Sequence, residues 1–189
     1  MSDIQFLIVG LGSIGRRHLH ILKQIDPTAK ISVWRQRQTI EDLGDVAPLV
    51  DQVVFSLDDA LKLHPSAALV TNPASMHIGT SLALAQNGIH LFVEKPLSNT
   101  MDGVDVLLEL CRKRALVLMV GYNFRFYKPL QAMRQALTEG RIGRVLSLRA
   151  EVGQYLPDWR PNNEYRSTVS AQQALGGGVV LELSHELDY

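Results

Sequence analysis

The sequence holds a single cysteine, Cys111, among its 189 residues. One cysteine permits no internal disulfide and no cysteine metal cluster. An excess of one charge is lacking too: nineteen basic residues cancel nineteen acidic ones, so no overall field favours nucleic acid or an anionic membrane. No apolar run reaches the roughly 18–20 residues of a membrane span. Met1-Ser2-Asp3 carries no charged n-region of the kind that opens a signal peptide. There is no internal repeat and no low-complexity tract. The remaining composition, 46% hydrophobic and 20% charged, excludes collagen-like, coiled-coil and disordered chains. The expectation is a soluble, cytoplasmic protein.

Over the first 120 residues, short β-rich runs alternate with helical stretches. Ile4–Val9, Ile31–Trp34, Val53–Phe55, Ala67–Thr71, Ile89–Val93 and Leu116–Val120 read as strands. Between them, Ser13–Ile25 carries a helical apolar stripe closed by Asp26-Pro27, Ser56 and Ser75 stand at helix starts, and Thr100–Arg114 is helical. Strict alternation predicts an α/β fold with a doubly wound parallel sheet of the Rossmann type, covered by helices on both faces. After Gly121 the character changes. Pro129–Glu139 reads as a helix, Val145–Val152 as a longer strand, Gln154–Leu175 as an ordered loop, and a helix starts near Val179. The last segment reaches Tyr189 without a stop signal. The predicted organisation is therefore a dinucleotide-binding domain over 1–120 and the beginning of a truncated second domain over 121–189. The residues after Gly121 are expected to be partly disordered or paired with a second copy of the chain, since a strand without neighbours exposes unpaired N–H and C=O groups.

Gly10-Leu11-Gly12-Ser13-Ile14-Gly15 is a G-x-G-x-x-G run between a predicted strand and a predicted helix, the context that gives this weak pattern meaning. Gly10 suits the tight turn, Gly12 the approach of a pyrophosphate, and Gly15 close helix–strand packing; the helix N-terminus offers N–H groups to the phosphates. The other reading is a tight turn with no ligand. At the end of the second strand an NAD-binding site would carry an acidic residue. This chain reads Val33-Trp34-Arg35-Gln36-Arg37, with no carboxylate before Glu41. Arg35 or Arg37 would pair with the 2′-phosphate of NADP, and Trp34 or Arg35 would stack on adenine; alternatively both arginines are solvated. NAD(P) is expected, leaning to NADP.

Glu94-Lys95-Pro96 closes the fifth strand, on the rim where open α/β sheets bind ligands. A lysine there can stabilise alkoxide character on a substrate oxygen during hydride transfer. Pro96 permits a cis peptide, which would aim Lys95 inward.

These pieces, in this order, resemble the glucose–fructose oxidoreductase / inositol dehydrogenase / MocA-like family. They are Gly10–Gly15 with Arg16-Arg17-His18, Thr71-Asn72-Pro73 with His77, Glu94-Lys95-Pro96, Gly121-Tyr122-Asn123-Phe124-Arg125-Phe126, and Gly176-Gly177-Gly178 followed by Ser184-His185-Glu186-Leu187-Asp188. The resemblance covers the whole chain. It implies an enzyme with a Rossmann domain binding NAD(P) and a second α/β domain with an open, largely antiparallel sheet that often mediates oligomers. Such enzymes interconvert a hydroxyl and a ketone on sugars, inositols or similar polyols. The closing segment looks like members associated with surface-sugar pathways. Lys95 matches the lysine contacting the reacting oxygen, and His185 the histidine that acts as general base or acid. Asn72 and Pro73, with Thr71 before them, match the loop beside the nicotinamide. Glu94 matches a cofactor contact, and Asn123 and His77 are placed with the cofactor.

His185 also suits this role on its own chemistry, because imidazole exchanges a proton near neutrality. Glu182 and Asp188 lie three residues to either side, on about one face if the helix is continuous, and a carboxylate there would hold the ring and favour its charged form. Many relatives place an aspartate four residues before this histidine, where the chain has Leu181; Glu182 takes its place among the expected catalytic groups. Tyr122, Arg125, Trp159 and Arg160 are the expected substrate contacts, with Tyr155 and Tyr165 nearby in sequence, because aromatic faces and planar donors suit a polyol. His18 and His20 read as helix packing, and no histidine set has metal spacing. The expected partners are a small sugar or polyol and further copies of the chain. The competing reading is a dinucleotide-binding module without catalysis of its own.

Overall fold

The computed structural model describes residues 4–35, 43–159 and 164–188, which leaves Arg37 and Arg160 outside the described residues. The chain divides into two compact units, 1–120 and 121–189.

The first unit is built on six parallel strands: β1 (Gln5–Val9), β2 (Lys30–Trp34), β3 (Gln52–Val54), β4 (Ala67–Val70), β5 (His90–Val93) and β6 (Leu118–Val120). Their order across the sheet is β3-β2-β1-β4-β5-β6. That is the doubly wound Rossmann order, with a topological switch point between β1 and β4. Each strand sends alternate residues to opposite faces. Leu7 and Val9, with Ala68, Val70, Leu91 and Val93, pack on one side; Ile8 and Leu69 pack on the other with Ile31 and Val33. The first face is covered by α2 (Leu57–Lys62), α3 (His77–Gln86) and α4 (Val104–Lys113) through Ala60, Leu84 and Leu107. The second is covered by α1 (Ser13–Ile25) through Leu19 and by the 3₁₀ turn Gly44–Leu49 through Val46. Burial on both faces explains why these strands read as continuous apolar runs.

Helix starts follow local chemistry in one place and depart from it in another. Ser56 caps α2, its Oγ accepting from the Asp59 N–H at 3.1 Å. Ser75 caps nothing: Pro73, with φ near −57°, opens a 3₁₀ turn over Ala74–Met76, so Ser75 lies inside that turn and α3 begins at His77.

Among its described residues the second unit holds α5 (Lys128–Thr138), four 3₁₀ turns between Leu156 and Leu175, and two one-turn helices, α6 (Val179–Glu182) and α7 (His185–Asp188). Two expectations fail here. Residues 145–152 form no strand and are exposed; partial apolar alternation makes a strand only beside a hydrogen-bonded partner, and no strand lies among the described residues of this unit. The helix expected from Val179 is broken at Leu183–Ser184. Val179 and Val180 are β-branched and exposed, and neither short helix buries a residue, so no packed face extends a costly nucleus into one helix.

Candidate active site

The glycine loop leaves β1 at the switch point. Gly10 has φ +88°, and a Cβ on it would stand 3.1 Å from the Asn72 backbone. A Cβ on Gly15 would meet the Gly10 carbonyl oxygen and stand 2.9 Å from the Thr71 hydroxyl. That hydroxyl donates to the carbonyl oxygens of Val9 and Gly10, each at 2.9 Å, tying the β4 loop to the β1 loop. Gly12 is different. It is exposed, and nothing lies within 4 Å of where its Cβ would be. It is also the N-cap of α1, whose first turn has neither a side-chain cap nor an acidic residue. An uncapped helix N-terminus with open space before it suits a pyrophosphate. Ser13 and Ile14 make up this first turn, and Leu11 packs against the core from the loop.

The end of β2 stands beside this loop: the Gly10 N–H donates to the Trp34 carbonyl at 2.9 Å. Trp34 is partly buried against the core. Arg35 is 7% exposed, and its N–H donates to Val54 O, so it is not the solvated surface arginine of the alternative reading.

Two further loops complete the rim. In the β4 loop, Asn72 Nδ2 donates to Thr80 Oγ1 at 3.0 Å, while its buried Oδ1 has no hydrogen-bond partner. In the β5 loop the Lys95–Pro96 peptide is cis, and the Glu94 N–H donates to Val70 O. His77, 2% exposed, joins the two loops: Nδ1 lies 2.8 Å from Pro96 O and Nε2 2.8 Å from Asn72 O. Burial holds this imidazole below its ordinary pKa, and the two carbonyl oxygens oppose that fall. Instead of presenting a free edge to a ligand, His77 is spent on joining the loops that flank Lys95.

His18 exceeds its expected part as helix packing. Its Nε2 lies 2.6 Å from Glu94 Oε1, and its ring stands edge-on to Phe92 at 5.1 Å between centroids. The other oxygen, Glu94 Oε2, accepts from the Lys95 N–H at 3.0 Å.

In the second unit, the 3₁₀ turn Asn123–Phe126 packs against α7. His185 stands edge-on to Phe124 at 4.7 Å, and its Nε2 is 3.6 Å from Glu186 Oε1. Asp188 turns to Arg125, which donates through Nε and Nη2 at 2.6 and 2.7 Å. The guanidinium holds the Asp188 carboxyl below its ordinary range. Arg125, an expected substrate contact, is thus engaged with Asp188 within the unit. Tyr122 OH reaches Ser184 Oγ at 3.5 Å. Glu182 closes α6, directly before the Leu183–Ser184 break that precedes His185. Asn123 is exposed, and Trp159, at the end of its 3₁₀ turn, is partly buried.

Residues 4–122 match the oxidoreductase family with an NAD-binding Rossmann fold, the Gfo/Idh/MocA family. The chain belongs to this family. Among its curated relatives, myo-inositol 2-dehydrogenase of Thermotoga maritima is 31% identical over 147 residues, covering 75% of this chain and 43% of that protein. A 2,7-anhydro-N-acetylneuraminate hydratase of Mediterraneibacter gnavus is 23% identical over 100% of this chain and 48% of its own length. Among solved structures, the WlbA dehydrogenase of Bordetella pertussis, in complex with NADH and UDP-GlcNAcA, superposes with a TM-score of 0.67 at 25% identity, covering 75% of this chain and 41% of that one. The chain therefore spans less than half the length of these relatives. No described helix of this Gfo/Idh/MocA member is long and apolar enough to cross a membrane.

Proposed function

We propose that this chain is part of an NAD(P)-dependent oxidoreductase that interconverts a hydroxyl and a ketone on a sugar, sugar-derived or polyol substrate. The observation that carries the reading is the placement of Glu94-Lys95-Pro96 on the same sheet rim as a glycine loop whose helix N-terminus is uncapped and open. The names of the relatives, an inositol dehydrogenase among them, agree with this substrate class.

A bound NAD(P) supplies the two-electron acceptor or donor. Gly10, Gly12 and Gly15 with the first turn of α1 hold its pyrophosphate, and Thr71, Asn72 and Pro73 line the nicotinamide end. With NAD(P) bound as the hydride acceptor, His185 would take the substrate's hydroxyl proton in oxidation. The Lys95 ammonium would donate a hydrogen bond to a substrate oxygen as that oxygen gains charge. Reduction reverses each transfer. Residues 121–189 supply substrate contacts in this reading, with Tyr122 and Trp159 as candidate sugar contacts and Glu182 and Glu186 as candidate carboxylates for His185. Exposed Ile142, Val145, Leu146 and Leu148 suit a homo-oligomeric contact. The protein works in the cytoplasm.

Arg35, buried at the end of β2, favours NADP over NAD, with Arg37 as a second candidate. The test is a tryptophan-fluorescence titration with NADPH and NADH, using Trp34 as reporter, followed by turnover of Lys95→Ala. Saturable binding, tighter for NADPH, and loss of turnover with cofactor affinity nearly intact are expected. Unchanged turnover in Lys95→Ala would refute the catalytic assignment. Binding without any turnover by the native protein would leave a dinucleotide-binding module.

A further inference from the structure

Lys95 can act on a substrate oxygen only if the turn that carries it is held in place, and one side chain of α1 reaches that turn. His18 follows the last glycine of the loop by three residues, so its position is set by the helix on which the pyrophosphate would dock. Its Nε2 meets Glu94 Oε1 at 2.6 Å across 76 residues of sequence, and Glu94 Oε2 accepts from the backbone N–H of Lys95 at 3.0 Å. Both oxygens of one carboxylate are thereby engaged, one by α1 and one by the turn. The His18 and Glu94 side chains are only 16% and 12% exposed, so water competes weakly for the contact. A carboxylate oxygen only accepts, so Nε2 carries the proton of this bond.

We propose that His18 is a positioning residue: it fixes the Glu94 carboxylate, which in turn fixes the Lys95 backbone, so that the phosphate-binding helix sets the pose of the lysine. This rests on the reading of Lys95 as the catalytic lysine, but the physical linkage is testable without turnover. Two substitutions separate the donor from the ring. His18→Phe keeps an aromatic edge against Phe92 and removes the N–H. His18→Gln removes the ring but places an amide Nε2 the same number of bonds from Cβ as the imidazole Nε2.

The measurement is amide hydrogen exchange by NMR on the ¹⁵N-labelled chain. His18→Phe is expected to speed exchange at Lys95 by about tenfold, the factor set by one hydrogen bond of ordinary strength. Exchange at Leu19 and Leu91 should stay within about twofold, since a local role leaves the surrounding core closed. His18→Gln should restore the native rate at Lys95. Glu94→Ala should reproduce the His18→Phe effect, and the double variant should add nothing to it, as coupled groups require. Native exchange at Lys95 in His18→Phe, or equal acceleration in His18→Gln and His18→Phe, would overturn the proposal. Acceleration throughout α1 and β5 would reduce His18 to a packing residue and overturn it too. Should His18→Phe fail to fold, Glu94→Ala and His18→Gln decide the matter on the same criteria. A chain that binds no NADH would defeat the oxidoreductase reading while leaving this exchange result to stand or fall alone.

Discussion

A methyl group added at Gly15 would press on the Gly10 carbonyl oxygen and stand 2.9 Å from the Thr71 hydroxyl, and backbone at a strand–helix turn yields little. Gly15→Ala is therefore expected to cost about 1–3 kcal/mol of stability, in the range of small-to-large changes in tight packing, and to weaken NADH binding. A urea melt and a fluorescence titration check the two halves. His77 gives a pH dependence. Burial lowers its pKa in the folded chain from the ordinary 6.5, so the unfolded chain holds the proton more tightly. Stability is then full above about pH 6.5 and falls as the pH drops below it, until the folded ring protonates as well. Pro96 O and Asn72 O both favour the charged ring and so oppose this fall. A His77→Gln chain should lose this dependence between pH 7 and 5, measured by denaturant midpoint. These residue-level roles were only half legible in the sequence. The glycines could be read because their need is local. The sequence places His77 near the nicotinamide, and nothing in Thr71–His77 says that both ring nitrogens find carbonyl oxygens.

At the scale of elements, the strands and helices of the first unit follow from periodicity and capping. Ser56 shows the device plainly: it caps α2 by accepting from the Asp59 N–H and donates to Asp59 Oδ2 at 2.7 Å. Ser56→Ala should cost about 1 kcal/mol, read from the thermal midpoint, because the Asp59 N–H loses its acceptor at the start of α2. The elements of the second unit were less legible. Residues 145–152 have a strand's apolar content, yet a strand is a property of a pair, and the described residues of this unit offer no partner. The break at Leu183–Ser184 was invisible for a related reason: helix length beyond one turn depends on a buried face, and spacing alone does not say whether one exists.

For the molecule as a whole, the two units draw their stability from different sources. The first has apolar cores on both faces of its sheet. The second exposes much of its apolar surface and joins α7 to the Asn123–Phe126 turn through the Arg125–Asp188 pair. The guanidinium depresses the Asp188 carboxyl below 3.8, so the pair's contribution is present above that pH and fades as acid protonates the carboxyl. Acidification below about 3.8, or Asp188→Asn at neutral pH, is expected to loosen the second unit before the first. Hydrogen exchange resolved by residue would show this as early loss of protection at His185–Leu187 with β1 and β4 still protected; the reverse order would refute it.

By itself the sequence determined the alternation of strand and helix over 1–120, the glycine loop and its helix, and the motifs that mark the family, because periodicity, glycine conformation and turn chemistry are properties of neighbours along the chain. Only the tertiary structure decided that His18 grips Glu94, that His77 joins the β4 and β5 loops, and that Asp188 pairs with Arg125. The first of these partners lie 76 residues apart and the last 63. No local pattern records such a contact; it exists once parallel strands bring their carboxyl ends to a common rim, or once a turn and a distant helix pack together, and side chains find the donors and acceptors left there.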